Sequence, residues 1–313
     1  MANFTDIPFL NPIKFVPATD TPGVHFDDDW AKNQIKEWEM QVCWRQKWQF
    51  EDETPLHIKS TVTPSDLQVY DRNGNVVNEI EWTLVAASGT TAGNIYELTL
   101  QLDTGTGGDL PAGVYWLYQE VTNGGSYLCK YLSEPIDVRV SHKNTSLFTY
   151  TNSENTQGVY FGKTEVVFNM RIEAKLSEFS PGSDTTDYID QSRNAYILSG
   201  TPFREWKLLI GNAPGVTDYT ADLLNRIFCL DTVRIDGKLF TKVNGAKWEA
   251  QRVKGYPLAG WSLDVTESVN LTGLQHSDTD PLVPGVTTAY DINDDLYGST
   301  TGSNIHIIDK ETT

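Results

Sequence analysis

Gly162-Lys163-Thr164 is the one group in this 313-residue chain that looks like nucleotide chemistry. It matches the end of a phosphate-binding loop, where glycine amides and a lysine hold phosphates ahead of a helix. That loop also needs glycine at position 157, which is Gln157, and Gly158 lies one residue too close. A strand-like alternation follows it where a helix is required, so nucleotide binding is not expected. Metal chemistry fares no better. His25, His57, His142, His276 and His306 never come within ten residues of one another, and no HExxH or CxxC occurs. Asp291, Asn293 and Asp295 are spaced like the first ligands of a calcium loop. However, Leu296 replaces the required glycine and Gly302 the bidentate glutamate. Asp27-Asp28-Asp29, and Asp71 with Asn73 and Asn75, read as solvated loops. No G-x-S-x-G elbow is present, and nothing selects a glycosidase pair among 42 acids. The residues therefore assign no catalytic group, no metal ligand and no cofactor.

Nine tryptophans leave one binding chemistry open, because an exposed indole face stacks on sugars. Trp38, Trp44 and Trp48 share a strand face and read as core. Trp82, Trp116, Trp206, Trp248 and Trp261 also sit in strand-like contexts. Trp30, beside the acidic triplet, is the candidate glycan platform.

Charge narrows the partners. Lys+Arg 24 against Asp+Glu 42 gives a net charge of −18, which leaves no excess to neutralise phosphates. Nucleic acid and anionic membrane surfaces are thus disfavoured. No apolar run approaches the length of a membrane span, and the first residues show no secretory pattern. Cys43, Cys129 and Cys229 lie far apart, as reduced thiols would in a protein made in a reducing cytoplasm.

The elements that must position these residues are strands. Fourteen tyrosines, 12 phenylalanines and the tryptophans suit a pleated, half-buried surface, and 24 glycines punctuate short segments. From Trp38 to Phe50 the even positions are apolar except Gln46, and the odd ones are nearly all polar. Val166 to Leu176 repeats the pattern. Period two predicts two long strands, each burying its even face. Asn73-Gly74, Asn123-Gly124-Gly125, Asp236-Gly237 and Asn244-Gly245 permit the positive φ of hairpin turns. The last two are expected to flank KLFTKV in a tight meander. One helix is expected near 218–229, with Asp218 or Thr220 capping it, and a short one at Asp27 to Lys36.

The resulting expectation is an all-β protein with two β-sandwich-like domains, 25–142 and 143–268, the second carrying the helix. Residues 1–24, with four prolines, read as an extended N-terminal arm. Residues 269–313 read as an acidic C-terminal arm, with seven carboxylates against Lys310. Its NIHII segment places Ile305, Ile307 and Ile308 as candidate subunit-interface residues, adding a strand to a neighbour's sheet edge.

Two stretches carry a family resemblance. YLSEPIDVRVSHKNTSLFTYTNSENTQGVYF (131–161) is one. FREWKLLIGNAPGVTDYTADLLNRIFCLDTVRIDGKLFTKVNGAKWEA (203–250), continuing to YPLAGWSLDV, is the other. Both resemble structural proteins of tailed phages and prophages of Bacteroidota, crAss-like phages included, and WRQKWQFEDETPLHIKS fits the same pattern. Together they span most of residues 30–265. The resemblance implies a non-enzymatic virion component of the tail, hub or neck: an adaptor or ring protein whose partners are its own copies and other tail proteins. It supplies no catalytic residues. Binding of a host-surface glycan or receptor by a β-sandwich module is the alternative.

Overall fold

The computed structural model describes residues 4–18, 44–87, 93–101, 110–123, 126–211 and 215–268. Of these, 58% lie in strands and 6% in helices, so the protein is all-β.

The first half builds two sheets. Strands β1 (Thr5–Asp6), β4 (Glu53–Ser60), β7 (Thr83–Ala86) and β8 (Asn94–Gln101) form one, in the order β1-β4-β8-β7. In the other, β9 (Gly113–Asn123) is flanked by β10 (Ser126–Ser133), β5 (Leu67–Tyr70) and β11 (Ile136–Arg139). β2 (Phe15–Pro17) borders β10, β6 (Val76–Ile80) borders β5, and β3 (Gln46–Gln49) runs parallel to β11. Both sheets feed one core containing Trp48, Leu56, Ile58, Val69, Leu98, Leu117 and Val138. Fully burying a side chain of this kind contributes about 1.5–3 kcal/mol. The alternation around β3 holds where the chain is described: Trp44, Gln46 and Trp48 are buried, and Phe50 partly so. Gln46, the polar interruption, is accommodated because its Nε2 donates to the Arg171 carbonyl at 2.6 Å.

The second half closes on itself. β12 (Thr145–Thr151) pairs with β13 (Phe168–Ile189), β13 with β14 (Ala195–Ile210), and β14 with β18 (Ala259–Glu267). β18 then pairs with β16 (Lys238–Lys242), β16 with β15 (Thr232–Ile235), and β15 returns to β12. This six-stranded antiparallel ring replaces the expected sandwich of two facing sheets, and closure removes the edges a sandwich would leave. Its core gathers Phe148, Tyr150, Phe168, Met170, Ile172, Leu208, Phe240 and Val265. Val166, Phe168, Met170, Ile172 and Ala174 are buried as their period predicts.

Two local expectations are corrected here. Helix α2 (Asp218–Ile227), the second after the single turn α1 (Phe161–Thr164), is capped by Thr217 instead of Asp218 or Thr220. Thr217 Oγ1 accepts from the Thr220 amide at 3.1 Å. It packs Leu223, Leu224 and Ile227 into the barrel core. The meander is not formed either. Asp236 and Gly237, at φ 49° and 84°, make a true two-residue hairpin turn between β15 and β16. Beyond Asn244-Gly245, however, β17 (Glu249–Arg252) does not pair with β16. The two lie end to end along one side of β18, because β18 is long enough to hold both.

The N-terminal stretch is extended, but its described part is spent on its own chain. Thr5 pairs with Ser60, and Pro17 with Tyr131. Leu10 enters the barrel core and Ile13 the first core. Asn11 makes two hydrogen bonds to the His57 backbone, at 2.7 and 2.9 Å. Pro8, Pro12 and Pro17 hid this packing, since they interrupt any apolar period without preventing burial. A third, smaller cluster gathers Val16, Tyr70, Val114, Trp116, Tyr118 and Leu132, and the barrel core takes in Trp44 as well as Leu10. Residues 4–18 contact both the barrel core and the first core, β3 meets β13 at Lys47 opposite Arg171, and the described residues form one compact unit. The helix expected at 27–36, Trp30, and the whole segment 269–313 with Ile305, Ile307 and Ile308 lie outside the described residues.

Candidate interaction surface: a projecting hairpin

The residues first suspected of chemistry do not assemble a reactive site. Gly162 and Thr164 lie in the one-turn α1, and the Gly162 amide is already committed to Asn155 Oδ1 at 3.0 Å. Among the described residues no three His, Cys, Asp or Glu side chains converge as a metal site would require. His57 Nε2 meets Glu97 Oε2 at 2.7 Å with its ring against Phe168, inside packed structure. His142 is bonded to the Asp137 carbonyl. His25, His276 and His306 lie outside the described residues, as do Asp27–Asp29 and Asp291–Asp295. Among the described tryptophans, Trp44, Trp48, Trp82 and Trp116 are buried, and Trp206, Trp248 and Trp261 are partly buried against the barrel core. No helix among the described residues is long and apolar enough to cross a membrane.

What the structure offers to the outside is a hairpin. β13 and β14 continue past the barrel wall as a two-stranded ribbon, paired from Ser180–Glu205 to Ile189–Ala195. Nine residue steps at about 3.3 Å give a reach of roughly 30 Å. Beyond the Arg204–Glu267 pair, no third strand among the described residues joins it. Nearly every residue from 180 to 202 is exposed, on both faces.

The ribbon's outer end is apolar. Ile189 is 65% exposed, Tyr188 54%, Tyr196 52%, Ile197 71% and Leu198 66%. Tyr188 stands opposite Tyr196 on one face. Ile189 and Ile197 lie on the other, as neighbouring pairs Ile189–Ala195 and Asp187–Ile197. A register shift at Thr186/Asp187 leaves Leu198 bulged. A two-stranded ribbon with large apolar groups on both faces is marginal in water by itself. Its composition suits a segment that is covered in use.

The tip is nonetheless well made. The Asp190 carboxylate accepts from the Asn194 amide at 2.8 Å and from its side chain at 2.9 Å, while the Asp190 amide donates to the Asn194 carbonyl at 3.0 Å. These bonds, the Asn194 side chain's above all, hold the Asp190 acid below its ordinary value. Asp71 and Asn75 repeat the arrangement at the β5–β6 turn, at 2.9 and 3.0 Å. The Asp71 cluster, read from sequence as a solvated loop, is thus one instance of a turn clamp, Asp-x-x-x-Asn, used twice. Sequence reasoning missed the second because DQSRN lacks the Asn-Gly signal; Arg193 takes the positive φ of 65° that glycine takes in the first. The shared Asp…Asn spacing was the signal that would have found it.

At its root the hairpin is tied to the barrel. Phe179 packs against Trp206 with centroids 4.8 Å apart, and Trp206 Nε1 donates to Glu267 at 3.2 Å. Phe203 lies over Gly182 so closely that a Cβ there would come within 2.4 Å of its ring. No protein-family model matches the chain, and no curated protein matches it as a relative.

Proposed function

We propose that the protein is a non-enzymatic structural component of a tailed-phage virion, a subunit of a homo-oligomeric ring in the tail, hub or neck that joins neighbouring virion proteins. The observation that carries this reading is the projecting hairpin, whose five exposed apolar side chains have no cover within the described chain. A subunit that works by assembly needs such a reach, and its body needs only to hold the reach rigidly. The barrel does so through the continuous strands β13 and β14. The resemblance of residues 131–161 and 203–250 to phage structural proteins supplies the setting. The acidic chain, at −18, fits protein partners better than nucleic acid.

Cryo-electron microscopy of purified virions tests this directly. Density for the barrel in a fixed copy number around the tail or neck axis is the expected result. Its absence from virions, with the chain free in the lysate, would remove the proposal. The glycan-binding alternative rests on Trp30 alone, and a glycan array with a Trp30→Ala control is its test.

A further inference from the structure

The hairpin and an apolar cleft lie at opposite ends of the same strand pair. β14 and β18 are hydrogen-bonded from Arg204–Glu267, at the hairpin's root, to Ile210–Trp261, roughly 20 Å away at strand rise. At that far end a cleft of about 660 Å³ opens, lined among others by Leu209, Ile210, Gln251, Arg252, Tyr256 and Trp261. Val253, 69% exposed, and Tyr256 stand at its margin. β17 beside it pairs only with β18 among the described residues, so its outer edge presents free backbone groups.

Charge distinguishes the two ends. The hairpin, residues 180–205, carries Asp184, Asp187, Asp190 and Glu205 against Arg193 and Arg204. The segment around β17 carries Lys247, Arg252 and Lys254 against Glu249, with Arg252 tied to Asp218 and lying over Trp261. In a chain of net charge −18, a net positive segment beside a largely apolar cleft is a local exception, and the hairpin, net negative with an apolar outer end, is its complement.

We infer that the hairpin of one copy seats in the β17 cleft of a second copy, so that subunits join head to tail. The inference rests on the self-assembly reading above and names its partner and seat. A second copy is the occupant the two surfaces favour, because one chain carries both of them and cannot bring them together in itself. The hairpin leaves the barrel in the direction away from the cleft. A contact between two different patches is heterologous, and heterologous contacts close into rings when the rotation allows.

The full chain is tested by sedimentation velocity, with near-ultraviolet circular dichroism to show that each variant is folded. Ile197→Asp with Leu198→Asp alters the hairpin; Val253→Asp with Lys254→Glu alters the seat. Wild type is expected to form closed oligomers. Each variant alone is expected to be weakened by about 30-fold or more, the loss of an interface hot spot. Mixing the two variants is the decisive arm. The hairpin variant keeps an intact seat and the seat variant an intact hairpin, so the mixture should form one-to-one dimers that grow no further. Oligomers that survive the seat variant but not the hairpin variant would overturn the assigned seat while leaving ring assembly standing. A wild-type chain that stays monomeric at every concentration would overturn both.

Discussion

The Arg171 guanidinium grips the Asp52 carboxylate through two parallel hydrogen bonds, Nε to Oδ2 at 2.6 Å and Nη2 to Oδ1 at 2.7 Å. Asp52 also accepts from the Gln49 amide at 2.8 Å, in the turn between β3 and β4. Arg171 lies near the start of β13, so this fork fastens the first half of the chain to the barrel. Both side chains are nearly dry, 4% exposed for Asp52 and 12% for Arg171. Replacing one partner leaves the other charge buried without its counterion. Asp52→Ala should therefore cost about 3–5 kcal/mol, measured by urea unfolding. Arg171→Met with Asp52→Leu should recover much of that loss, since neither charge then remains to be desolvated.

Removing the hairpin should do little to the fold. Residues 180–202 contribute almost nothing to either core, so replacing 181–204 with Asn-Gly joins Ser180 to Glu205, which already face each other across the ladder. The shortened chain should unfold within about 1 kcal/mol of the parent, as substitutions at exposed sites do. Thermal melts at low protein concentration, where assembly is absent, make the comparison. A large loss would mean that the ribbon helps hold the barrel and is not reserved for a partner.

The long strands were legible because period two survives wherever one face is buried, and Trp44, Trp48, Phe168, Met170 and Ile172 keep it without exception. Barrel closure was not. β12 meets β13 and β15 on its two sides across separations of about 25 and 85 residues, and such pairings leave no local pattern. The hairpin escaped for the opposite reason. Its strands have no buried face, so Tyr188, Ile189, Tyr196, Ile197 and Leu198 follow no alternation that a core would impose. The N-terminal stretch shows a third way to be missed, because its anchors are single residues.

Those anchors give another test. Leu10 is fully buried in the barrel core, and Tyr150 Oη donates to the Leu10 carbonyl at 2.7 Å. Leu10→Ala should cost about 2–5 kcal/mol through lost burial and the cavity left behind. Tyr150→Phe removes the donor but keeps the ring and should cost about 1 kcal/mol. An unfolding midpoint unchanged by Leu10→Ala would return residues 4–18 to the status of a loose arm.

Glu134 gives the protein a stability that depends on pH. It lies between β10 and β11, 2% exposed, with Oε1 accepting the Lys14 amide at 3.2 Å and Oε2 without a partner. Burial pushes its acid up to about 8, although the Lys14 amide and the Lys14 charge pull the other way. In the unfolded chain the same acid titrates near 4.5. Between these values the fold keeps a proton that the unfolded chain has released, so stability must fall as pH rises through the window and level off above it. At 1.36 kcal/mol per pH unit, the loss between pH 4.5 and 7 is roughly 3 kcal/mol. Glu134→Gln keeps an oxygen for the Lys14 amide and cannot ionise. Urea unfolding of both proteins from pH 5 to 9 cancels the repulsion common to this acidic chain. The difference should grow in favour of the glutamine variant up to about pH 8 and then stay constant. A difference that does not change with pH would mean that Glu134 is already ionised beside Lys14 in the folded protein.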